Sequence, residues 1–159
     1  MHPAIQPGHV VVVTGGASGI GLSAAKRFAE AGMRLVLADI DDSQLSTAAD
    51  ALQGSGAHVA AIRTDIGDID QVAALAQAAR EVGPVSILMN NAGREGGGGI
   101  LAGAPVWDAT IATNLLGPIY GVQAFLPAML EADWPCAIVN TGSNQGITLP
   151  PGDTAYNVS

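Results

Sequence analysis

An α/β fold built on a doubly wound parallel sheet is predicted by two observations. Strand-like and helix-like segments alternate along the chain with short Gly, Pro and Asp punctuation between them. The first alternation is also the most specific: the valine run Val10, Val11, Val12, Val13 leads into Thr14-Gly15-Gly16-Ala17-Ser18-Gly19-Ile20-Gly21. A short β-branched run reads as a buried parallel strand, and the glycines after it as a turn into a helix. Such a turn aims backbone N–H groups and a helix N-terminus at one point, which suits a diphosphate. Gly15 takes backbone angles closed to other residues, Gly19 lets phosphate approach the main chain, and Gly21 lets helix and strand pack closely.

The elements follow in order. After the strand Val10–Thr14 a helix is expected over residues 19–31, with Ile20, Ala24 and Phe28 on one face and Gly32 as its stop. Residues 34–39 read as the second strand. Asp41 or Asp42 caps a helix carrying Leu45, Ala49 and Leu52, ended by Gly54 and Gly56. Residues 59–64 form the third strand, and Asp68 starts a helix with Gln71 at capping-box distance and Val72, Leu75, Ala79 and Val82 inward. Gly83-Pro84 ends that helix and residues 85–89 form the fourth strand. The glycine-rich stretch 93–103, with Gly96, Gly97, Gly98 and Gly99 in succession, is either a connector or the rim of a substrate pocket. A long helix over 105–131, a strand over 137–141, and a short helix capped by Asp153 or Thr154 complete the chain. Ligands of such sheets bind beyond the carboxyl ends of the strands.

Bulk properties exclude several classes. The 159 residues suffice for one domain with a real core, built from Ala, Val, Leu and Ile because aromatics are only 4% of the chain. A net charge of −8 without a Lys/Arg cluster argues against nucleic acid and anionic membranes as partners. The single cysteine, Cys136, has no internal partner, which fits a reducing cytoplasm. No signal peptide or membrane-spanning run is expected. His2, His9 and His58 lack metal-ligand spacing and read as surface or local packing.

Asp39 closes the second strand 18 residues after Gly21. A carboxylate there can accept hydrogen bonds from both hydroxyls of an adenosine ribose. It repels a ribose 2′-phosphate by roughly 3 kcal/mol per unit charge at ~5 Å and an effective dielectric of ~20. Neither Ser18 nor Ile40 offers a basic partner for that phosphate, so NAD is favoured over NADP. Asp65, closing the third strand, either accepts from the adenine amino group or caps the turn that follows. The phosphate-loop ending Gly-Lys-Ser/Thr is missing from the glycine turn, and Gly142-Ser143-Asn144-Gln145-Gly146 misses the Gly-x-Ser-x-Gly elbow of hydrolases by one position.

Taken in register, Thr14-Gly-x-x-x-Gly-x-Gly21, Asn90-Asn91-Ala92-Gly93, Asn114, Ser143 and Tyr156 resemble the short-chain dehydrogenase/reductase family over essentially the whole chain. The resemblance implies a Rossmann-type sheet with strand order 3-2-1-4-5, and an oxidoreductase interconverting a secondary alcohol and a ketone. It implies cofactor contacts at Gly15, Ala17, Ser18, Gly19, Ile20 and Gly21 of the turn. Further contacts are implied at Asp39, Asp65, Ile66, Asn91, Ala92 and Gly93. Ser143 resembles the serine that holds the substrate oxygen, and Tyr156, 13 positions later, the catalytic acid/base. Hydride transfer needs such a proton carrier. A phenol titrates near pH ~10 unless adjacent positive charge lowers it, at about 1.36 kcal/mol per unit. In the family that charge comes from oxidised nicotinamide and a lysine four residues after the tyrosine.

Here the chain ends Tyr156-Asn157-Val158-Ser159, one residue short of that lysine and without the family's last strands and substrate-covering segment. The expectation is a C-terminally truncated form whose fifth strand is an exposed apolar edge, and whose full-length counterpart is a homo-oligomer. The alternative to the enzyme is a non-catalytic NAD-binding fragment or regulatory remnant. The family's Asn114 equivalent holds a lysine-linked water through its backbone carbonyl. Pro118, four residues on, has no N–H to offer, and so either frees that carbonyl or simply kinks the helix with Gly117.

Overall fold

The computed structural model describes all 159 residues. Five parallel strands form one sheet in the order β3-β2-β1-β4-β5: β1 is Val10–Thr14, β2 Arg34–Asp39, β3 Val59–Arg63, β4 Val85–Asn90 and β5 Ala137–Asn140. Between them run α1 (Gly19–Glu30), α2 (Asp42–Gly54), α3 (Ile69–Val82), α4 (Ala104–Ile111) and α5 (Gly117–Glu131); two short helices, α6 (Gln145–Thr148) and α7 (Thr154–Val158), follow β5. The Rossmann-type order expected from the sequence is the one found. No helix is long and apolar enough to cross a membrane.

Alternation along the strands creates two cores. Val11, Val13, Leu35 and Leu37 pack on one face against Ala25, Leu45, Ala48 and Leu52 of α1 and α2. Val10, Val12, Val36 and Leu88 pack on the other against Leu75, Ala79, Phe125 and Met129 of α3 and α5. Complete burial of side chains of this size stabilises by about 1.5–3 kcal/mol each, so the pair of cores fixes the sheet's register and with it the strand ends. The register of β4 against β1 shifts between Val10↔Val85 and Val11↔Ile87. Ser86 falls at this irregularity, fully buried, and its hydroxyl donates to the Ala4 carbonyl at 2.8 Å, which ties the N-terminal segment beneath the sheet.

Several local expectations need correction. In α1 the fully buried positions are Gly21 and Ala25. Ala24 and Phe28 pack only partly against the core, and Ile20 is 65% exposed at the strand-end side of the molecule. Ile20 instead faces the cleft, and the inward side of the first turn is taken by Gly21, whose missing Cβ lets it meet the Gly15 carbonyl. Asp41 caps α2 by accepting from the Gln44 amide at 3.0 Å, which decides between the two candidate aspartates. Asp68 caps α3 as expected, but Gln71 does not complete a reciprocal box. Its Nε2 donates to Asp68 and its Oε1 accepts from the Asp65 amide instead.

The single helix expected over 105–131 is interrupted by a wide turn over Ala112–Leu116, in which the Gly117 amide reaches back five residues to the Ala112 carbonyl. Pro118, within the first turn of α5, offers no N–H to the Asn114 carbonyl four residues earlier. A Cβ on Gly117 would stand 2.5 Å from Ile66 Cδ1, so the Ile66 side chain would have to shift to admit one. Strand β5 borders the sheet, with Val139 44% exposed. Cys136 is a free thiol whose pKa burial pushes up. His2 accepts from the Ala4 amide, and the His9 ring stacks edge-on against Trp134 at 5.5 Å between centroids.

Candidate active site

The carboxyl ends of the strands open into a cleft of about 1060 Å³. Its organising residue is Thr14, the last residue of β1. The Thr14 hydroxyl accepts from the amides of Asn91 (3.0 Å) and Ala92 (3.2 Å) and donates to the Met89 carbonyl (3.4 Å). The Asn91 side chain returns the link. Its Nδ2 donates to the carbonyls of Thr14 (3.1 Å) and Gly15 (3.3 Å), and its Oδ1 accepts from the Thr141 hydroxyl (3.3 Å). One amide side chain thus joins the ends of β1, β4 and β5. Behind it Asn90 donates to Asn140 Oδ1 at 2.8 Å, across the β4–β5 pair.

The glycine turn is packed, not merely flexible. Gly15 has φ +63°, and a Cβ on it would stand 2.8 Å from Ala92 Cα. A Cβ on Gly21 would stand 2.1 Å from the Gly15 carbonyl oxygen and 2.6 Å from Asn91 Nδ2. Gly19, at φ +52°, has nothing within 4 Å of its would-be Cβ, so space lies open before the turn. Ser18 occupies the N-cap position without a side-chain cap bond, and the first helical bond from the turn is Leu22 N to the Ser18 carbonyl at 3.0 Å. The amides of Gly19, Ile20 and Gly21 precede it and have no partner within the helix, the arrangement that attracts an anion.

Asp39 holds the turn from the side: one carboxylate oxygen accepts from the Ala17 amide (3.1 Å), the other from the Asp41 amide (3.2 Å). Both oxygens keep a lone pair for a further donor. Asp65 accepts from the Gly67 amide at 2.9 Å. This is the turn-capping role, and one of its oxygens takes no bond within the chain.

Most of the residues singled out from the sequence come together here. Gly15, Ser18, Gly19, Ile20, Asp39, Asp65, Ile66, Asn91, Ala92, Gly93, Asn114, Ser143 and Tyr156 all line the one cleft. Ala17 and Gly21 do not; both are buried behind its wall and act through the Asp39 bond and the Gly15 packing. Ser143 is exposed, and its oxygen accepts only from the Gln145 amide at 3.2 Å. The Asn114 side chain brackets the Arg94 main chain, accepting from its N–H (2.9 Å) and donating to its carbonyl (3.0 Å), and also donates to Ser159 Oγ (3.0 Å). Ser159 Oγ in turn donates to the Tyr156 carbonyl at 3.0 Å.

Sequence reasoning missed one residue that shapes this site. Asp153 stands at the N-cap of α7 yet makes no cap bond; its carboxylate accepts from the amides of Gly96 (3.2 Å) and Gly97 (2.8 Å). The glycine-rich stretch is therefore anchored to the Tyr156-bearing helix. A contact across 57 residues leaves no local signal in the sequence. The partnership of Asn90 with Asn140 was nearer to hand, since both are amides at the last position of neighbouring strands.

A parallel β3-β2-β1-β4-β5 sheet with this glycine turn at the end of β1 defines a Rossmann-type α/β protein. The chain belongs to the short chain dehydrogenase family, whose model matches residues 9–159. It is 35% identical over 156 residues to 1-deoxy-11-beta-hydroxypentalenate dehydrogenase of Streptomyces arenae, covering 93% of this chain and 54% of that protein. Among solved structures, a short chain dehydrogenase/reductase from Burkholderia phymatum in complex with NAD superposes with a TM-score of 0.95 at 41% identity. That match covers 99% of this chain and 56% of the other. An NADPH-bound short chain oxidoreductase from Pseudomonas aeruginosa with an atypical catalytic center superposes with a TM-score of 0.85 at 32% identity, covering 96% and 62% of the two chains. The chain thus spans a little over half the length of the curated relative and of the NAD complex it matches. The family is one of oxidoreductases that use nicotinamide cofactors.

Proposed function

We propose that the cleft binds NAD and interconverts a secondary alcohol and a ketone. The observation that carries this reading is that Asn114, Ser143 and Tyr156 line the same cleft as the glycine turn and Asp39, although the five come from five separate segments of the chain. The residues present fit the cofactor. The partnerless amides at the head of α1, beside open space at Gly19, suit a diphosphate. The spare lone pairs of Asp39 suit ribose hydroxyls, and its charge disfavours a 2′-phosphate. The NADPH-bound relative marks the fold as compatible with either cofactor, so the preference rests on Asp39.

When bound, the nicotinamide supplies the hydride acceptor for oxidation and the donor for reduction. Tyr156 takes the carbinol proton in the first direction and returns it to the ketone oxygen in the second. The exposed Ser143 hydroxyl donates to the substrate oxygen, leaving its own acceptor side to Gln145. Asn114 acts through its main chain: its side chain is committed to Arg94 and Ser159, and its carbonyl has Pro118 in the position where a helical donor would stand.

The test is a calorimetric NAD titration beside an assay of alcohol-dependent NADH formation over a broad panel of secondary alcohols. Tyr156→Phe is expected to lower NADH formation by ~10²-fold or more while NAD still binds. NAD binding by the unaltered chain without any alcohol-dependent NADH formation would support the second reading, nucleotide binding without turnover. Absence of NAD binding would reject both.

A further inference from the structure

We propose that Arg94 selects the substrate: the alcohol or ketone carries a carboxylate, which the Arg94 guanidinium binds beside Tyr156. This rests on the dehydrogenase reading and adds the chemical class of its substrate.

Arg94 is the one cationic side chain lining the cleft, in a chain with 14 acidic residues and 6 Lys and Arg. A substrate anion approaching so acidic a protein is repelled unless a local positive charge receives it. The guanidinium makes no hydrogen bond within the chain, and the only ion pair in the structure is Arg27 with Glu30, far along α1. The Arg94 main chain is nevertheless fixed. Asn114 grips the Arg94 main chain on both its N–H and its carbonyl, and the same amide continues through Ser159 Oγ to the Tyr156 carbonyl. The anchor of the cation and the anchor of the acid/base are therefore one hydrogen-bonded chain.

The neighbouring carboxylates do not neutralise it. Asp39 and Asp65 are held by the amides of Ala17, Asp41 and Gly67, at the ends of β2 and β3. Asp153 is occupied by Gly96 and Gly97. Glu95 lines the cleft without pairing with Arg94, so it opposes an incoming anion and limits the charge that the site accepts. A planar fork of N–H donors matches a carboxylate in two bonds, which a neutral alcohol cannot reproduce.

The test is calorimetric titration of the NADH-saturated chain with lactate, 3-hydroxybutyrate and mandelate, each paired with its methyl ester. At least one acid is expected to bind about tenfold or more tightly than its ester. Arg94→Gln should remove that difference, Arg94→Lys should restore part of it, and Glu95→Gln should tighten the acid. If no acid binds better than its ester, or the difference survives Arg94→Gln, the proposal is overturned. A tenfold loss of NADH affinity in Arg94→Gln would assign the guanidinium to the cofactor and overturn it as well. Failure of the unaltered chain to bind NADH at all would instead remove the dehydrogenase reading beneath it.

Discussion

Asp153 holds the Gly97 amide at 2.8 Å, and this bond fastens the glycine-rich stretch after β4 to the helix that carries Tyr156. The Gly99 amide adds a second tie, to the Gly152 carbonyl at 2.9 Å. Just before these ties the chain is packed closely, since a Cβ on Gly96 would stand 2.8 Å from Thr110 Oγ1 and 3.4 Å from Ala155 Cβ, whereas one on Gly97 would meet nothing within 4 Å. Of the stretch only Gly93, Arg94 and Glu95 line the cleft, so the rim reading applies to its first residues, while Gly96, Gly97 and Gly99 are tied to Asp153 and Gly152.

Asp153→Ala should therefore loosen both partners together. Hydrogen bonds to a charged acceptor are worth about 1.5–3 kcal/mol each when removed. The Gly96 and Gly97 amides are expected to exchange with solvent at least ~10-fold faster, with a matching rise at Tyr156 and Asn157. Hydrogen-exchange measurements at residue resolution decide it; faster exchange at the glycines with α7 unaffected would mean that the two segments are held independently.

Gly21→Ala is expected to be among the most damaging single changes. Its Cβ would stand 2.1 Å from the Gly15 carbonyl oxygen and 2.6 Å from Asn91 Nδ2, and neither can retreat without breaking the Asn91–Thr14 bracket. Overpacking of this kind costs about 1–3 kcal/mol or more. Thermal melts should fall and NAD titrations weaken together. Gly54→Ala, where a Cβ meets nothing within 4 Å, is the control that should leave the melt close to that of the parent.

These cases separate what the sequence could reveal from what it could not. The strand–helix alternation, the glycine turn and the Asp68 cap were legible because each depends on residues close in sequence; the strand order came through resemblance, and the cap of α2 was narrowed only to Asp41 or Asp42. The cleft membership of Asn114, Ser143 and Tyr156 came through resemblance alone, since nothing local brings residues 114, 143 and 156 together. The exposure of Ile20 and the diversion of Asp153 were not legible. Helical periodicity is blind to how closely a glycine lets a neighbouring turn approach, and a nearby cap position masks a partner 57 residues away.

The Asp41 cap gives a pH signature. The Gln44 amide, then the Ser43 hydroxyl and the Gln44 side chain, lower its pKa from 3.8 to about 2. A depressed folded-state pKa contributes stability that is fully present above the unfolded value and lost as pH falls through the folded one. The parent should therefore melt above Asp41→Ala at neutral pH. Their charge-dependent difference should shrink between about pH 4 and pH 2. A difference that stays constant over that window would show that the hydroxyl and amide bonds act without regard to the charge.

In the proposed function cofactor choice rests on Asp39, and its two roles can be separated. Its carboxylate accepts from the Ala17 and Asp41 amides, so removing the side chain would loosen the glycine turn as well as change the charge. Asp39→Asn keeps an oxygen for one of these amides while neutralising the repulsion of a 2′-phosphate. At ~5 Å and an effective dielectric of ~20 that repulsion is roughly 3 kcal/mol per unit charge, equivalent to about two orders of magnitude in affinity. Adding Ile40→Arg, at an exposed position lining the same cleft, supplies a cation for the phosphate. The ratio of NADP to NAD affinity should rise by about two orders of magnitude in Asp39→Asn and further in the double variant. Competitive titration of the two cofactors on each variant measures it. If both cofactors weaken equally in Asp39→Asn, Asp39 serves the shape of the turn and the choice of cofactor lies elsewhere.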